Sequence, residues 1–394
     1  MFPDDWILPY LEESLAEFPD LELFDVHTHI GENDPDGFSC QPEDLLAGLD
    51  RMPGRAAVFP MQEPGGYPPA NDRVIAEAER SGGRLVAFCR LDPHDEPLAE
   101  AERCLAAGAV GIKLHPRAEG FELAAPELRD VFELASERRL PVLVHAGRGI
   151  PALGRHAVEL TQAFPGARLI LAHAGICDLA WIWQAARERP NLFFDTAWWS
   201  PADLLALFTL VPPGQVLFGS DTPYGTPGYG AAGTLRYARQ AGLSEQQVRS
   251  VAGGQAARLV AGEEPLDAGP AVGPEALSSD PLLDRAYTFL VSAIGQMFNG
   301  IDAEETLALA ALACDVREDS PHAEVCRAVL ELLSLTAQAP GAAPAEPDES
   351  APRAQRISPG IPLVIAAAAL VRTPDVPLPR ETAPVSAPQF PVPR

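Results

Sequence analysis

The sequence predicts an α/β protein: a (β/α)8 TIM barrel with a C-terminal helical appendage and a disordered, proline-rich tail. Three observations carry that prediction. Eight apolar runs of strand length alternate with helix-like segments over about 240 residues, the usual span of such a barrel. The runs are continuously apolar, as suits parallel strands buried on both faces. Most of them end in His, Lys or Asp, and the strand ends of a barrel open on one face, where active sites are assembled.

The elements follow in order. Residues 1–20 carry Leu8, Leu11, Leu15 and Phe18 at helical spacing and lead into the first strand, 21–30 (LELFDVHTHI). Further strands are expected at 55–62 (RAAVFPMQ), 84–92 (RLVAFCRLD), 108–115 (GAVGIKLH), 141–147 (PVLVHAG), 168–175 (RLILAHAG), 191–197 (NLFFDTA) and 215–222 (QVLFGSDT). Helices are expected between them, among others at 71–81, 97–107, 127–138 and 155–164. Pro126, Pro151 and Pro201 mark helix starts, where a missing N–H costs little. An open doubly wound sheet is the competing architecture. It would carry a glycine-rich phosphate turn after its first strand, and HTHIGEND is not one.

The barrel is assigned to 1–262 and a small helical appendage to 263–337, with amphipathic helices at 281–298, 302–314 and 321–337. Residues 338–394 read as an Ala/Pro-rich linker and a mostly disordered tail. No chemistry is visible in the appendage. His322 reads as a surface or packing histidine, and the appendage is expected to cap the barrel or to pair two subunits as a homodimer.

Composition narrows the function. A net charge of −26 argues against nucleic acid or an anionic membrane as partner and leaves a small-molecule substrate. The six cysteines are scattered without a CxxC pair and read as reduced thiols. The acidic N-terminus lacks the basic region of a signal peptide, and the longest apolar run, 361–371, is too short to span a bilayer, so a cytoplasmic protein is expected. Among 29 basic residues only Lys113 is a lysine. Its survival in an arginine-rich chain suggests a position where a guanidinium cannot substitute.

The chemistry begins at His27 and His29. Alternation along a strand puts both imidazoles on one face, where they can close on one metal ion. LVHAG and LAHAG place His145 and His173 at equivalent strand ends. With Lys113, His115, Asp195 and Asp221, these residues converge on the barrel mouth.

DVHTH, GIKLHP, VLVHAG, LILAHAG and FGSDTP together resemble the amidohydrolase superfamily, in particular its amidohydrolase-related branch of metal-dependent TIM-barrel hydrolases and aminocarboxymuconate semialdehyde decarboxylase-like proteins. GGQAARLV (253–260) resembles the helix after the last strand of that branch, with Gln255 where Asn is usual. The resemblance covers roughly residues 20–262 and implies His27, His29, His145 and Asp221 as metal ligands. It makes His173 either a ligand of a second metal or a catalytic acid/base, and Asp221 the group that takes a proton from metal-activated water. Lys113 either carries a carboxylate that bridges two metals or acts as a cation toward substrate. Neutral imidazoles and a carboxylate suit Zn²⁺, one or two ions per chain. His115, Arg117 and Arg148 follow strand ends and are candidates for binding substrate, the arginines through an anionic group. Trp198, Trp199, Tyr224 and Tyr229 are candidates for a pocket wall.

The implied activity is hydrolysis of a C–O or C–N bond (lactone, ester or amide) in a small carboxylated substrate. Non-oxidative decarboxylation of an aromatic or conjugated acid on the same scaffold is the alternative. HxH phosphoesterases usually place a histidine after the last aspartate, whereas Asp221 precedes Thr222 and Pro223. A non-catalytic scaffold is disfavoured because no ligand position is missing.

Overall fold

The computed structural model describes residues 4–277, 279–336, 338 and 351–379. They fall into two compact units. One spans Asp20–Ala276; the other joins the N-terminal segment up to Pro19 with the chain from Leu277 onward.

The first unit is the barrel. Eight parallel strands pair in sequence order: β1 (Leu23–Ile30), β2 (Gly54–Pro60), β3 (Leu85–Arg90), β4 (Gly111–Leu114), β5 (Pro141–Val144), β6 (Arg168–Leu171), β7 (Leu192–Asp195) and β8 (Val216–Leu217). Closure comes from backbone bonds between β1 and the end of β8. Val26 N donates to Phe218 O, Asp221 N to His27 O and His29 N to Thr222 O, at 2.8–2.9 Å. Phe24, Val26, Phe59, Phe88, Leu143, Ile170, Phe193 and Leu217 belong to the central apolar cluster. Gly111 is required there, since a Cβ would meet the Phe88 ring at 2.6 Å.

Helices fill the crossovers, and several start on a proline, as at Pro68–Arg80, Pro97–Ala106 and Pro201–Leu210. Pro126 opens a 3₁₀ turn before helix Arg129–Glu137, whereas Pro151 lies in a turn and its helix begins at Leu153. Strands β4, β5, β6 and β8 are shorter than their apolar runs. His115, His145, His173 and Asp221 therefore stand just past the strand ends, in the turns that ring the mouth.

The barrel unit runs past 262 because residues 263–276 fold back onto it. Leu266 N donates to Gln255 Oε1 at 2.9 Å, and Gln247 Nε2 donates to Ala268 O at 3.0 Å. Gln255, where Asn is usual, also reaches Gly214 O.

The second unit contains helices Leu8–Ala16, Pro281–Phe298, Glu304–Ala313, Ala323–Thr336 and Ile361–Arg372. The last corrects the sequence assignment, which placed it within linker and tail. Nine of its residues, among them Leu363, Val364, Ala367, Ala368 and Leu370, are buried, and a helix apolar on every side is stable only when packed. Residues 339–350 and 380–394, also assigned to linker and tail, lie outside the described residues. His322 lies part-buried near the surface, with its Nε2 2.9 Å from Asp280 Oδ2.

Candidate metal centre

The site is assembled at the C-terminal ends of the strands. From β1, His27 and His29 project to one side, as alternation predicts, and both are buried. Asp221 sits in the turn after β8 and brings one oxygen to both rings: Oδ1 lies 3.0 Å from His27 Nε2 and 3.2 Å from His29 Nε2. The ligand atoms of His27, His29 and Asp221 lie within 4.8 Å of one another. Asp221 holds a φ of 59° and His173 a φ of 58°, a left-handed conformation that non-glycine residues adopt at a cost. Ala174, next to His173, shares this conformation at a φ of 56°.

A second carboxylate fixes the first imidazole. Asp195, fully buried at the end of β7, accepts from His27 Nδ1 at 2.7 Å. Its other oxygen accepts the backbone N–H groups of His173 and Ala197 at 2.8 and 3.0 Å. With Nδ1 committed to donation, a neutral His27 turns its Nε2 lone pair on Asp221 Oδ1. His29 Nε2 faces the same Asp221 oxygen, while its Nδ1 lies 3.5 Å from Pro60 O. Without a metal, protons on the imidazoles satisfy these contacts; two imidazole nitrogens and a carboxylate oxygen on one point are a donor set that suits a divalent ion.

The electrostatics agree. Burial and Lys113 oppose a charge on His27, but Asp221 and Asp195 outweigh them and hold its pKa above the ordinary value, so a proton takes the cation's place when no metal is bound. Burial pushes His29 down to about 3 against the pull of Asp221. Burial also opposes ionisation of Asp221, yet His27 and the bonds from both imidazoles hold it well below the usual carboxylate range.

His145 and His173 form an adjoining pair outside the tight trio. His173 Nδ1 is 2.7 Å from Ala197 O, and its Nε2 is 2.9 Å from His145 Nδ1. Carbonyl acceptance orders the tautomers: His173 donates from Nδ1, His145 donates into His173, and the lone pair of His145 Nε2 is left buried without a partner among the described residues. Gly147 makes room for it, since a Cβ there would meet Nε2 at 2.5 Å. The His115 ring stacks on His145 at 3.8 Å between centroids, while its Nδ1 caps the short helix Pro116–Glu119 through Ala118 N. The five imidazoles make one file, His29, His27, His173, His145, His115, with centroid spacings of 5.3, 5.1, 4.6 and 3.8 Å.

Lys113 is fully buried on β4, with Nζ 3.4 Å from His27 Nε2 and 4.7 Å from the centre of the Phe59 ring. Burial lowers its pKa to about 7, against Asp221. Between that value and the ordinary 10.5 the unfolded chain binds the proton and the fold does not, so stability rises with pH across this window. Metal-free Lys113→Met is expected to lack this rise, as read by denaturant unfolding at a series of pH values.

Arg90, in register with Lys113 on β3, was not among the sequence candidates. It is buried, and its guanidinium donates to Glu119 Oε1 at 2.7 Å and Pro60 O at 3.3 Å. Tyr67 OH donates to the same Glu119 oxygen at 2.5 Å. The network ties the loops after β2 and β4 to β3. Glu119→Leu strands a buried guanidinium and is expected to cost about 3–5 kcal/mol of stability, measurable by equilibrium denaturation.

Arg117 and Arg148 are both exposed. Arg148 lies 6.0 Å from the centre of the Trp198 ring, which stands 6.1 Å from His173. Tyr224 meets His29 edge-on at 5.6 Å and donates to Asp34.

The family model described as Amidohydrolase matches residues 24–261, more than half of the chain. The chain belongs to the amidohydrolase family. This is a metal-dependent enzyme superfamily, and the His27–His29–Asp221 group is the candidate metal site of this amidohydrolase. Its match ends before the second unit. Among curated proteins, none matches the sequence. Solved structures similar to the amidohydrolase include an uncharacterised TIM-barrel protein from Bordetella bronchiseptica, at 15% identity and a TM-score of 0.50, covering 61% of this chain and 99% of that one. A 4-oxalomesaconate hydratase from Rhodopseudomonas palustris is 17% identical with a TM-score of 0.48, over 61% of this chain and 96% of that one. A probable 2-pyrone-4,6-dicarboxylic acid hydrolase from Acinetobacter baumannii is 13% identical with a TM-score of 0.47, over 61% and 99%. At 15% identity the likeness to the Bordetella protein is one of fold. Among the described residues no helix is long and apolar enough to cross a membrane.

Proposed function

We propose that this amidohydrolase is a hydrolase of a C–O or C–N bond, in a lactone, ester or amide of a small carboxylated substrate. The observation that carries the reading is the convergence of the His27, His29 and Asp221 donors on one point, with His27 oriented from behind by Asp195. These three residues would hold the divalent ion, which we assign as zinc. Bound there, it supplies Lewis acidity and draws the pKa of water toward neutrality.

The chain's own groups do the rest. Asp195 keeps His27 in the tautomer that presents Nε2. Asp221, ionised and 21% exposed at its side chain, is the group open to solvent that can accept a proton from the attacking water and return it to the leaving group. Lys113, poised near neutrality beneath the site, offers a positive charge to the oxygen of the bond under attack. Arg148, beside Trp198 at the rim, is the candidate partner for the substrate carboxylate.

Burial holds His145 well below the ordinary histidine value and also lowers His173, so both are neutral imidazoles near neutral pH. Screening lactones, esters and amides of carboxylated molecules beside aromatic acids, with acid release and CO₂ release as separate readouts, tests the proposal. Ring or ester opening without CO₂ is the expected result; CO₂ release alone would transfer the site to the decarboxylation reading.

A further inference from the structure

Asp25 opens the motif DVHTH, yet it is neither a metal-ligand candidate nor part of the proposed proton transfer. Its side chain is fully buried on β1, two residues before His27. The pairing of β1 with β2 slips at this point. Asp25 faces Ala56 and Thr28 faces Val58, so β1 carries one residue more than β2 over the interval that holds His27. Such a bulge re-aims side chains and takes backbone groups out of the ladder. A buried N–H displaced in this way needs another acceptor. Asp25 supplies it, its Oδ1 accepting from His27 N at 3.0 Å.

The same oxygen reaches across the seam where the barrel closes. Asp25 Oδ1 also accepts from Ser220 N at 2.9 Å, and Ser220 immediately precedes Asp221. Ser220 is fixed from its other side: its Oγ lies 2.7 Å from Thr222 Oγ1 and accepts from Thr222 N at 3.2 Å. The turn that carries Asp221 is therefore tied down on both sides of that residue. The two segments run close together here, since a Cβ on Gly219 would meet His27 Cβ at 3.1 Å. One carboxylate oxygen thus joins the backbone of one ligand candidate to the backbone beside another. Across that joint His27 Nε2 stands 3.0 Å from Asp221 Oδ1. The other oxygen, Asp25 Oδ2, is buried without a partner among the described residues, so the bonding of this carboxylate is concentrated on the two ligand segments.

We propose that Asp25 is a positioning residue of the metal centre: by holding His27 N and Ser220 N on one oxygen, it sets the spacing of the His27 and Asp221 ligands. The inference rests on the reading of His27, His29 and Asp221 as the ligands of a divalent ion. Asp25 acts from behind the site and does not touch that ion. The backbone bond from Asp221 N to His27 O joins the same two segments and keeps the barrel closed without it. A single bond leaves the turn free to pivot about it; the second tether, through Asp25, fixes the orientation. Removing the carboxylate strands two buried N–H groups and lets the turn swing, so that the ligand atoms no longer meet at one point.

The test is isothermal titration of the metal-free, full-length protein with Zn²⁺, for the wild type, Asp25→Ala and Asp25→Asn, each checked for folding by circular dichroism. Asparagine keeps an oxygen for both N–H groups; alanine keeps none. Asp25→Ala is expected to bind zinc about 10–100-fold more weakly, the range for a lost outer partner of a metal ligand. Asp25→Asn is expected to bind as the wild type does. Asp25→Ser, whose one short hydroxyl cannot span both N–H groups, replaces Asp25→Ala if alanine prevents folding, and the same loss is expected of it. A residue that serves the fold alone would lower the unfolding midpoint and leave zinc affinity where it was. Wild-type affinity in folded Asp25→Ala or Asp25→Ser, or an equal loss in folded Asp25→Asn, overturns the proposal and leaves the ligand assignment standing. Wild-type protein that takes no zinc overturns that assignment, and the proposal with it.

Discussion

Asp221→Asn is expected to lower turnover by about 10²–10⁴-fold, the range that follows loss of a positioned acid/base group. The substitution is close to isosteric, and asparagine is among the few residues that tolerate the left-handed backbone at this position, where φ is 59°. The backbone bond from residue 221 to His27 O is therefore retained, and the barrel closes as before. What disappears is the negative charge shared by His27 and His29. The site then has two neutral donors where it had an anionic third, and nothing at that point accepts a proton. Turnover measured at saturating metal separates the lost proton acceptor from weakened metal binding. Wild-type turnover in a folded Asp221→Asn protein would remove Asp221 from the chemistry.

Asp195→Asn acts on the same centre without touching the ion. Its backbone-facing oxygen goes on accepting from His173 N and Ala197 N, so the amide group is forced to turn its NH₂ toward His27 Nδ1. Two donors cannot face each other, so His27 shifts its proton to Nε2 and withdraws the lone pair that the metal needs. Metal affinity is expected to fall about 10–100-fold, the range for a lost outer partner of a ligating histidine. Isothermal titration of the metal-free protein with Zn²⁺ reads this directly. High zinc restores part of the activity, which it does not do for Asp221→Asn. Unchanged affinity would mean that Asp195 serves only to hold the backbone of the turn after β6.

The barrel was legible because its strands are buried on both faces and so read as unbroken apolar runs, each stopping at a polar residue. Alternation put His27 and His29 on one face and the barrel reading brought Asp221 to the same rim, while their selection as ligands came with the family resemblance, which also named His145. The end of each hydrogen-bonded strand did not follow: LVHAG and LAHAG read as strand throughout, yet β5 stops at Val144 and β6 at Leu171, where His173, Ala174 and Gly175 all take positive φ. That turn rotates His173 onto His145, a contact no spacing rule anticipates. Asp195 was visible as a strand-end carboxylate, but its work is done through the far nitrogen of a histidine 168 residues away in sequence. Arg90 was hidden inside an apolar run, where a lone cation is a sign of a buried ion pair whose partner, Glu119, lies beyond the next strand. The helix Ile361–Arg372 was missed because it sits between proline-rich stretches and was judged by its neighbours rather than by its own apolar surface.

The whole account rests on a cation held between β1 and the turn after β8. Its most direct measurement is the divalent-metal content of purified wild-type protein beside a His29→Gln/Asp221→Asn double variant, both shown to be folded and both dialysed identically. A retained ion in the wild type and its loss from the double variant is the predicted result. An ion held equally by both proteins, or by neither after wild-type protein has been dialysed against zinc, would contradict it.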